Sequence, residues 1–291
     1  MYILSVLKNM LKPSNFGTWI FFGLNVFLIW SIFSSTPTDT QITVWLIYGA
    51  AVLFSLSPIG EFILCGIAGA SPIVRTDMKL RVMPVLDVVY EKAKAQTPCL
   101  PKKVKLWLIH DSAPNAFAIG RRTICVTDGF FNLPDTAMMG LIAHEMGHLA
   151  NKHTDIQLLI GGGNIFITGF LLILKVISWV VAAICGLITL IQRSFLTGCL
   201  LGLFGTLSVV SIILWTKFCR LFLMWSMRTN EFVADKYAAD IGFGFELATA
   251  LDAICTSEPR NGLLRALYAT HPNVHDRVGR LQQMGVRYSR Y

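Results

Sequence analysis

The chain has 291 residues, 54% of them hydrophobic and 14% charged. Soluble domains carry about 25% charged residues, so this composition excludes an ordinary water-coated globule, and its apolar content excludes intrinsic disorder. The 25 basic and 17 acidic residues give a net charge of +8, which in so apolar a chain points to basic flanks of membrane spans rather than to nucleic acid.

Lys8 and Lys12 precede an apolar run, Phe16–Phe33, long enough at about 1.5 Å per residue to cross a bilayer. It exceeds the apolar core of a signal peptide, and no small-x-small cleavage site follows. It therefore reads as an uncleaved first span. A linker, 34–41, carries only Asp39. A second apolar run goes from 42 to about 64, with Pro58 and Glu61 near its end, and Arg75, Lys79 and Arg81 follow. Basic flanks around a nearly charge-free loop predict that the N-terminus and the chain after residue 75 are cytoplasmic.

The region from about 76 to 155 is soluble in character. Val82, Val85, Leu86, Val89 and Ala93 share one helical face. Residues 104–109 alternate as a strand, and 115–119 and 123–127 read as two more, joined by Gly120-Arg121-Arg122. Pro134 and Asp135 mark a helix start, followed by the apolar segment that contains His144-Glu145-Met146-Gly147-His148. Histidines at i and i+4 project from one helix face, so two imidazoles can bind one zinc ion. Glu145, between them in sequence, is placed to take a proton from the attacking water and pass it to the leaving amine. The seven cysteines have no paired spacing, so neither a disulfide framework nor a cysteine metal site is expected. His110, His153 and His275 have no spacing that gives them a role and read as surface residues.

A second apolar module covers 156–227, interrupted by Lys175, Arg193 and Lys217. One straight helix over 156–192 would far exceed a bilayer of about 30 Å. The predicted crossing is therefore about 176–192, returning through 194–216. Lys175, Lys217 and Arg220 would lie at the cytoplasmic interface and Arg193 at the outer turn. A span over 158–174 is the other placement. Beyond the module, Glu231 lies one helical turn before Asp235. That spacing lets Glu231 complete the zinc ligands while Asp235 hydrogen-bonds a ligand histidine. Glu231 must return to the side of the His pair, so the module must cross an even number of times.

His144-Glu145-Met146-Gly147-His148, Glu231-x-x-Ala234-Asp235, Asn115-Ala116-Phe117 and His271-Pro272-x-x-x-x-Arg277 stand in one order along the chain. In these motifs the chain resembles the M48 family of integral membrane zinc metallopeptidases, and is most similar to the HtpX-like heat-shock proteases. Met146-Gly147 is closer to other M48 branches. The resemblance implies a mainly α fold with a small β-sheet (α+β), a gluzincin-type domain with about four transmembrane helices in two hairpins. The expected divisions are an N-terminal hairpin, 1–75, the first catalytic part, 76–155, a second hairpin, 156–227, and the second catalytic part, 228–291. The resemblance further places Asn115, Ala116 and Phe117 on the strand lining the substrate groove, where an extended peptide adds by β-augmentation. It gives His271 the role of oxyanion donor and Arg277 that of holding Asp235, His271 or the C-terminal helix.

The implied protein is a multi-pass enzyme of the cell (inner) membrane with one Zn2+ per chain. Its catalytic domain is cytoplasmic, it contacts the lipid bilayer, and it acts on unfolded or membrane-protein substrates in quality control and stress response. The alternatives are a prenyl-protein-type peptidase of the same family, or a non-catalytic membrane scaffold retaining the fold.

Overall fold

In the computed structural model, the structure describes residues 2–192, 195–254 and 272–289. The chain is mainly helical with one small mixed sheet. It divides into two compact units: Met1–Phe16, Phe54–Leu159 and Trp225–Tyr291 form the first, and Gly17–Leu53 with Ile160–Met224 form the second.

The first unit is built on a sheet of β1 (Ala70–Pro72), β2 (Lys105–Ile109), β3 (Ala116–Ile119) and β4 (Thr123–Thr127). The spatial order is β1-β2-β4-β3; β2 and β4 run parallel, and the other pairs are antiparallel. β3 is thus an outer strand. Strand β1 has no period-2 pattern in Ala70-Ser71-Pro72; tertiary pairing with β2 makes it a strand. One face of the sheet packs on α5 (Thr76–Gln96), α6 (Asp135–Ala150) and α9 (Gly244–Ile254), whose buried residues form one core. Val82, Val85, Leu86, Val89 and Ala93 are the buried residues of α5, so its 3.6-residue apolar stripe is the face it spends on the core. The core also takes Ile124 and Val126 from β4, Met138, Ile142 and Met146 from α6, and Leu247 and Leu251 from α9.

Helix α6 is unusual in being buried nearly all round, from Ala137 through Leu149. Gly147 makes this possible on one side. A Cβ there would lie 2.9 Å from Ala234 Cα in α8 (Phe195–Asp240). The absence of a side chain lets the two backbones approach at the level of Glu231 and Asp235.

Helices α1 (Tyr2–Met10), α2 (Phe16–Phe33), α3 (Thr38–Ser55), α4 (Pro58–Ile67) and α7 (His153–Gln192) complete the membrane-type elements, and α10 (Val274–Gln283) closes the chain. Among the described residues, three segments are long and apolar enough to cross a membrane: Pro13–Phe33, Ile167–Leu187 and Val209–Asp240. The pair α3 and α4 gives a fourth only if taken as one broken span, because the two helices meet at 73°. The break has a local cause. Pro58 cannot continue a helix from α3 but suits the first position of a new one, and the Ser57 hydroxyl caps it by accepting from the Gly60 amide, at 3.2 Å.

The second apolar module differs from expectation. No break occurs at Lys175 or Lys217: α7 runs unbroken for 40 residues and α8 for 46, about 60 and 70 Å at 1.5 Å per residue. Single lysines are good helix formers, so they punctuate the hydropathy without interrupting the backbone. The apolar window Ile167–Leu187 lies between the two placements drawn from the sequence. Within the second unit, Ile29, Tyr48 and Ile167 form a small core with Phe22, Phe33 and Leu171 around it.

Candidate metal centre

His144 and His148 project from the buried face of α6, and Glu231 and Asp235 from the last turns of α8. The Nε2 atoms of His144 and His148 are 3.2 Å apart. Glu231 places Oε2 3.4 Å from His144 Nε2 and Oε1 3.3 Å from His148 Nε2. Two ring nitrogens and a carboxylate therefore converge on one point. Glu145 Oε1 lies 3.9 Å from His144 Nε2, and His144, Glu145 and His148 form the metal-compatible cluster among the described residues.

The hydrogen bonds around this cluster direct its lone pairs inward. His144 Nδ1 is 2.9 Å from Asp235 Oδ1. A carboxylate only accepts, so Nδ1 carries a proton, and the Nε2 lone pair is offered to the centre once the ring gives up its second proton. Arg277 from α10 donates to both Asp235 oxygens, at 2.9 and 2.6 Å, in the two-pronged geometry suited to a carboxylate. Its guanidinium also lies 3.6 Å from Glu231 Oε2 and 3.3 Å from His144 Nδ1. Burial and the nearby Arg277 charge pull the His144 pKa down. The Asp235 and Glu231 hydrogen bonds outweigh them and hold it at about 9. Arg277, though desolvated, is held above its ordinary value by Asp235 and Glu231.

On the other side, His148 Nδ1 is 3.1 Å from His153 Nδ1. This corrects the expectation for His153. It is only 1% exposed and is not a surface residue. A continued α6 would turn position 153 away from His148. Instead the helix ends at Asn151, Lys152 adopts φ 60, and α7 begins at His153 with its ring returned beneath His148. Burial, then the neighbouring His148, lower the His153 pKa well below the usual range, so the ring is neutral. Its Nε2 is buried with no hydrogen-bond partner.

The donor set fits a tetrahedral ion. Metal–ligand distances of about 2.0–2.1 Å at tetrahedral angles require donors about 3.3 Å apart; the two Nε2 atoms are 3.2 Å apart, and each has one Glu231 oxygen in that range, Oε2 at 3.4 Å from His144 and Oε1 at 3.3 Å from His148. Lone pairs this close repel one another unless a cation lies between them.

Beside the cluster opens a cavity of about 380 Å3, lined by Asn115, Ala116, Leu141, Glu145 and His275 among others. Its floor includes the outer strand β3, whose Ala118 amide donates to Glu145 Oε2 at 2.6 Å. Asn115 and Ala116 reach the cavity, whereas Phe117 does not. Successive β residues face opposite sides, and Phe117 packs on the far face of the sheet around Cys65, Ile109 and Cys125. His275 was expected at the surface; it is exposed, and it lines this cavity. His110 is exposed, with Nδ1 3.0 Å from Asp128. His271 lies outside the described residues. Cys65, Cys99, Cys125, Cys185 and Cys219 are free thiols.

Residues 84–285 match the model of peptidase family M48. The chain belongs to that family. Curated relatives of this M48 chain include a protease HtpX homolog of Acaryochloris marina, 26% identical over 73% of the chain and 74% of the relative. Another, from Paenarthrobacter aurescens, is 26% identical over 82% and 89%. Among solved structures, Ste24p of S. mikatae matches with a TM-score of 0.47 and 17% identity, over 89% of this chain and 62% of that one. Family and apolar helices together make this M48 chain a membrane metalloprotease.

Proposed function

We propose that the protein is a zinc-dependent endopeptidase that cleaves exposed segments of misfolded or damaged membrane proteins on the cytosolic side. The observation that supports this most directly is the convergence of His144, His148 and Glu231 donors at 3.2–3.4 Å beside the Glu145 carboxylate. Held by His144, His148 and Glu231, zinc would supply Lewis acidity for the scissile carbonyl and the attacking water.

The remaining chemistry belongs to the chain. An extended substrate pairs with the outer edge of β3, where backbone groups bind any sequence. This suits unfolded segments and brings one carbonyl to the cluster. Glu145 takes a proton as the water oxygen bonds to that carbonyl carbon, and returns it to the nitrogen as the C–N bond breaks. Asp235 and Arg277 keep the His144 lone pair on the centre throughout. The basic flanks Lys8, Lys12, Arg75, Lys79 and Arg81 support a cytosolic catalytic unit by the positive-inside rule.

Glu145→Gln tests the reading. The amide keeps the shape but cannot take the proton, so zinc content and fold should persist while casein cleavage falls roughly 100- to 10,000-fold. Loss of zinc in that variant, or near-normal cleavage, would remove Glu145 from this role.

A further inference from the structure

The second unit has a charge imbalance that its own residues do not relieve. Its segments contain four basic residues, Lys175, Arg193, Lys217 and Arg220, against one acidic residue, Asp39, a net of +3. No Asp or Glu occurs anywhere from residue 156 to 230. Among the described residues, no ion pair involves Lys175, Lys217 or Arg220. Lys175 also interrupts the apolar window Ile167–Leu187. At 40 residues α7 is longer than a bilayer is thick, so residues 176–192 can cross with Lys175 at the headgroup level, where a lysine meets lipid phosphate. Its ammonium lies 5.2 Å from the Trp179 ring centroid, a contact that positions the charge without neutralising it.

The cations face cavities. Lys175 and Lys217 line one of about 330 Å3, with Thr168, Thr216, Ile212 and Ile213 in its wall. Thr168, Leu171 and Thr216 also line an adjoining cavity of about 240 Å3, where Arg220 and the buried Asn25 stand. Two ammonium groups and two hydroxyls thus border one space with aliphatic walls, and the guanidinium stands in the space adjoining it. A free inorganic anion would leave those walls without a partner. A phosphodiester attached to acyl chains uses both kinds of surface, and basic pockets between membrane helices bind such headgroups.

We propose that α7 and α8 hold the phosphate of an anionic phospholipid between Lys175 and Lys217, with Arg220 beside it and an acyl chain along Ile212 and Ile213. The site is separate from the metal centre and does not depend on the peptidase reading. The lipid supplies the negative charge that the segment 156–230 lacks.

The test uses the full chain, purified in detergent and stripped of lipid. Thermal unfolding is followed with phosphatidylglycerol, phosphatidylcholine or inorganic phosphate added, and bound lipid is counted by native mass spectrometry. Phosphatidylglycerol should raise the unfolding temperature by several degrees more than phosphatidylcholine and remain bound as a discrete adduct. Inorganic phosphate at the same concentration should do neither. Lys175→Gln/Lys217→Gln should lose the preference, and Lys175→Arg/Lys217→Arg should keep it. Lys236→Gln, which removes an exposed lysine paired with Asp240, should also keep it. If the double Gln variant does not fold, the single Gln variants should each bind phosphatidylglycerol about fivefold more weakly. Equal effects of the two lipids overturn the proposal. So does a preference retained in the Gln variants, and so does a full response to inorganic phosphate, which would show a simple anion site.

Discussion

At His144 the imidazole is fixed by two layers of partners: Asp235 on its Nδ1, and Arg277 on both Asp235 oxygens. Removing the carboxylate charge while keeping its shape isolates this contribution. Asp235→Asn should lower zinc affinity about 10- to 100-fold, measured by competition with a chromogenic chelator. It should also destabilise the apo fold, by less than the roughly 3–5 kcal/mol of a fully broken buried pair, because Arg277 loses its two-pronged partner and keeps only Glu231, 3.6 Å away. Unchanged affinity would show that Asp235 does not set the His144 tautomer. His153 plays the matching part for His148. His153→Leu removes the Nδ1 acceptor and should weaken zinc binding by a similar factor, whereas His153→Gln, whose amide oxygen can accept, should recover part of it; equal losses in the two variants would reduce His153 to a packing residue. The contrast between these two residues shows what the sequence can disclose. Glu231 and Asp235 lie at i and i+4 of one helix, so their shared face is legible from spacing alone. His153 follows a helix break at Asn151 and Lys152, and no periodicity carries a side-chain direction across a break.

Among the elements, the outer strand β3 joins sheet and chemistry. Ala116 and Ala118 lie on the side of α6, and the Ala118 amide donates to Glu145. Proline is tolerated on an edge strand when its missing amide points away from the ladder. Ala118→Pro should therefore leave the sheet and the zinc content intact while removing one donor from the edge. The expected result is a fall in kcat/KM for extended peptides, with chelator-competition zinc affinity unchanged. Wild-type cleavage by a folded Ala118→Pro variant would show that the Ala118 amide is dispensable for positioning Glu145. The strand itself and its turn at Gly120 were legible from β-formers bounded by turn residues, but the burial of Phe117 on the opposite face required the register Phe117↔Cys125. The long helices show the opposite failure. Lys175 looks like an interruption in a hydropathy profile, yet the helical backbone is indifferent to one lysine, and α7 and α8 continue through their basic residues.

For the whole molecule, the metal cluster constrains the path of the chain. His148 and Glu231 meet at 3.3 Å, although 231 − 148 = 83 residues separate them. Both must lie on one side of any membrane the chain crosses, so the intervening segment crosses twice or not at all. Its two apolar windows, Ile167–Leu187 and the one beginning at Val209, supply a pair of crossings. The N-terminal region obeys the same arithmetic only if α2 is balanced by α3 and α4, taken as one broken span. If the bent pair returns to the side it came from, Lys8 and Lys12 fall on the side opposite Arg75, Lys79 and Arg81, against the positive-inside rule. The basic residues therefore favour four crossings. In a variant lacking the native cysteines, single cysteines at Ser35 and Lys102 decide between the paths. In right-side-out membrane vesicles, a membrane-impermeant maleimide should label Ser35→Cys and leave Lys102→Cys unlabelled until detergent is added. An epitope tag placed before Lys8 should be protected in the same vesicles. Labelling of Lys102→Cys in intact vesicles would place the catalytic unit outside, and accessibility of the tag together with protection of Lys102→Cys would reduce the bent pair to a re-entrant loop.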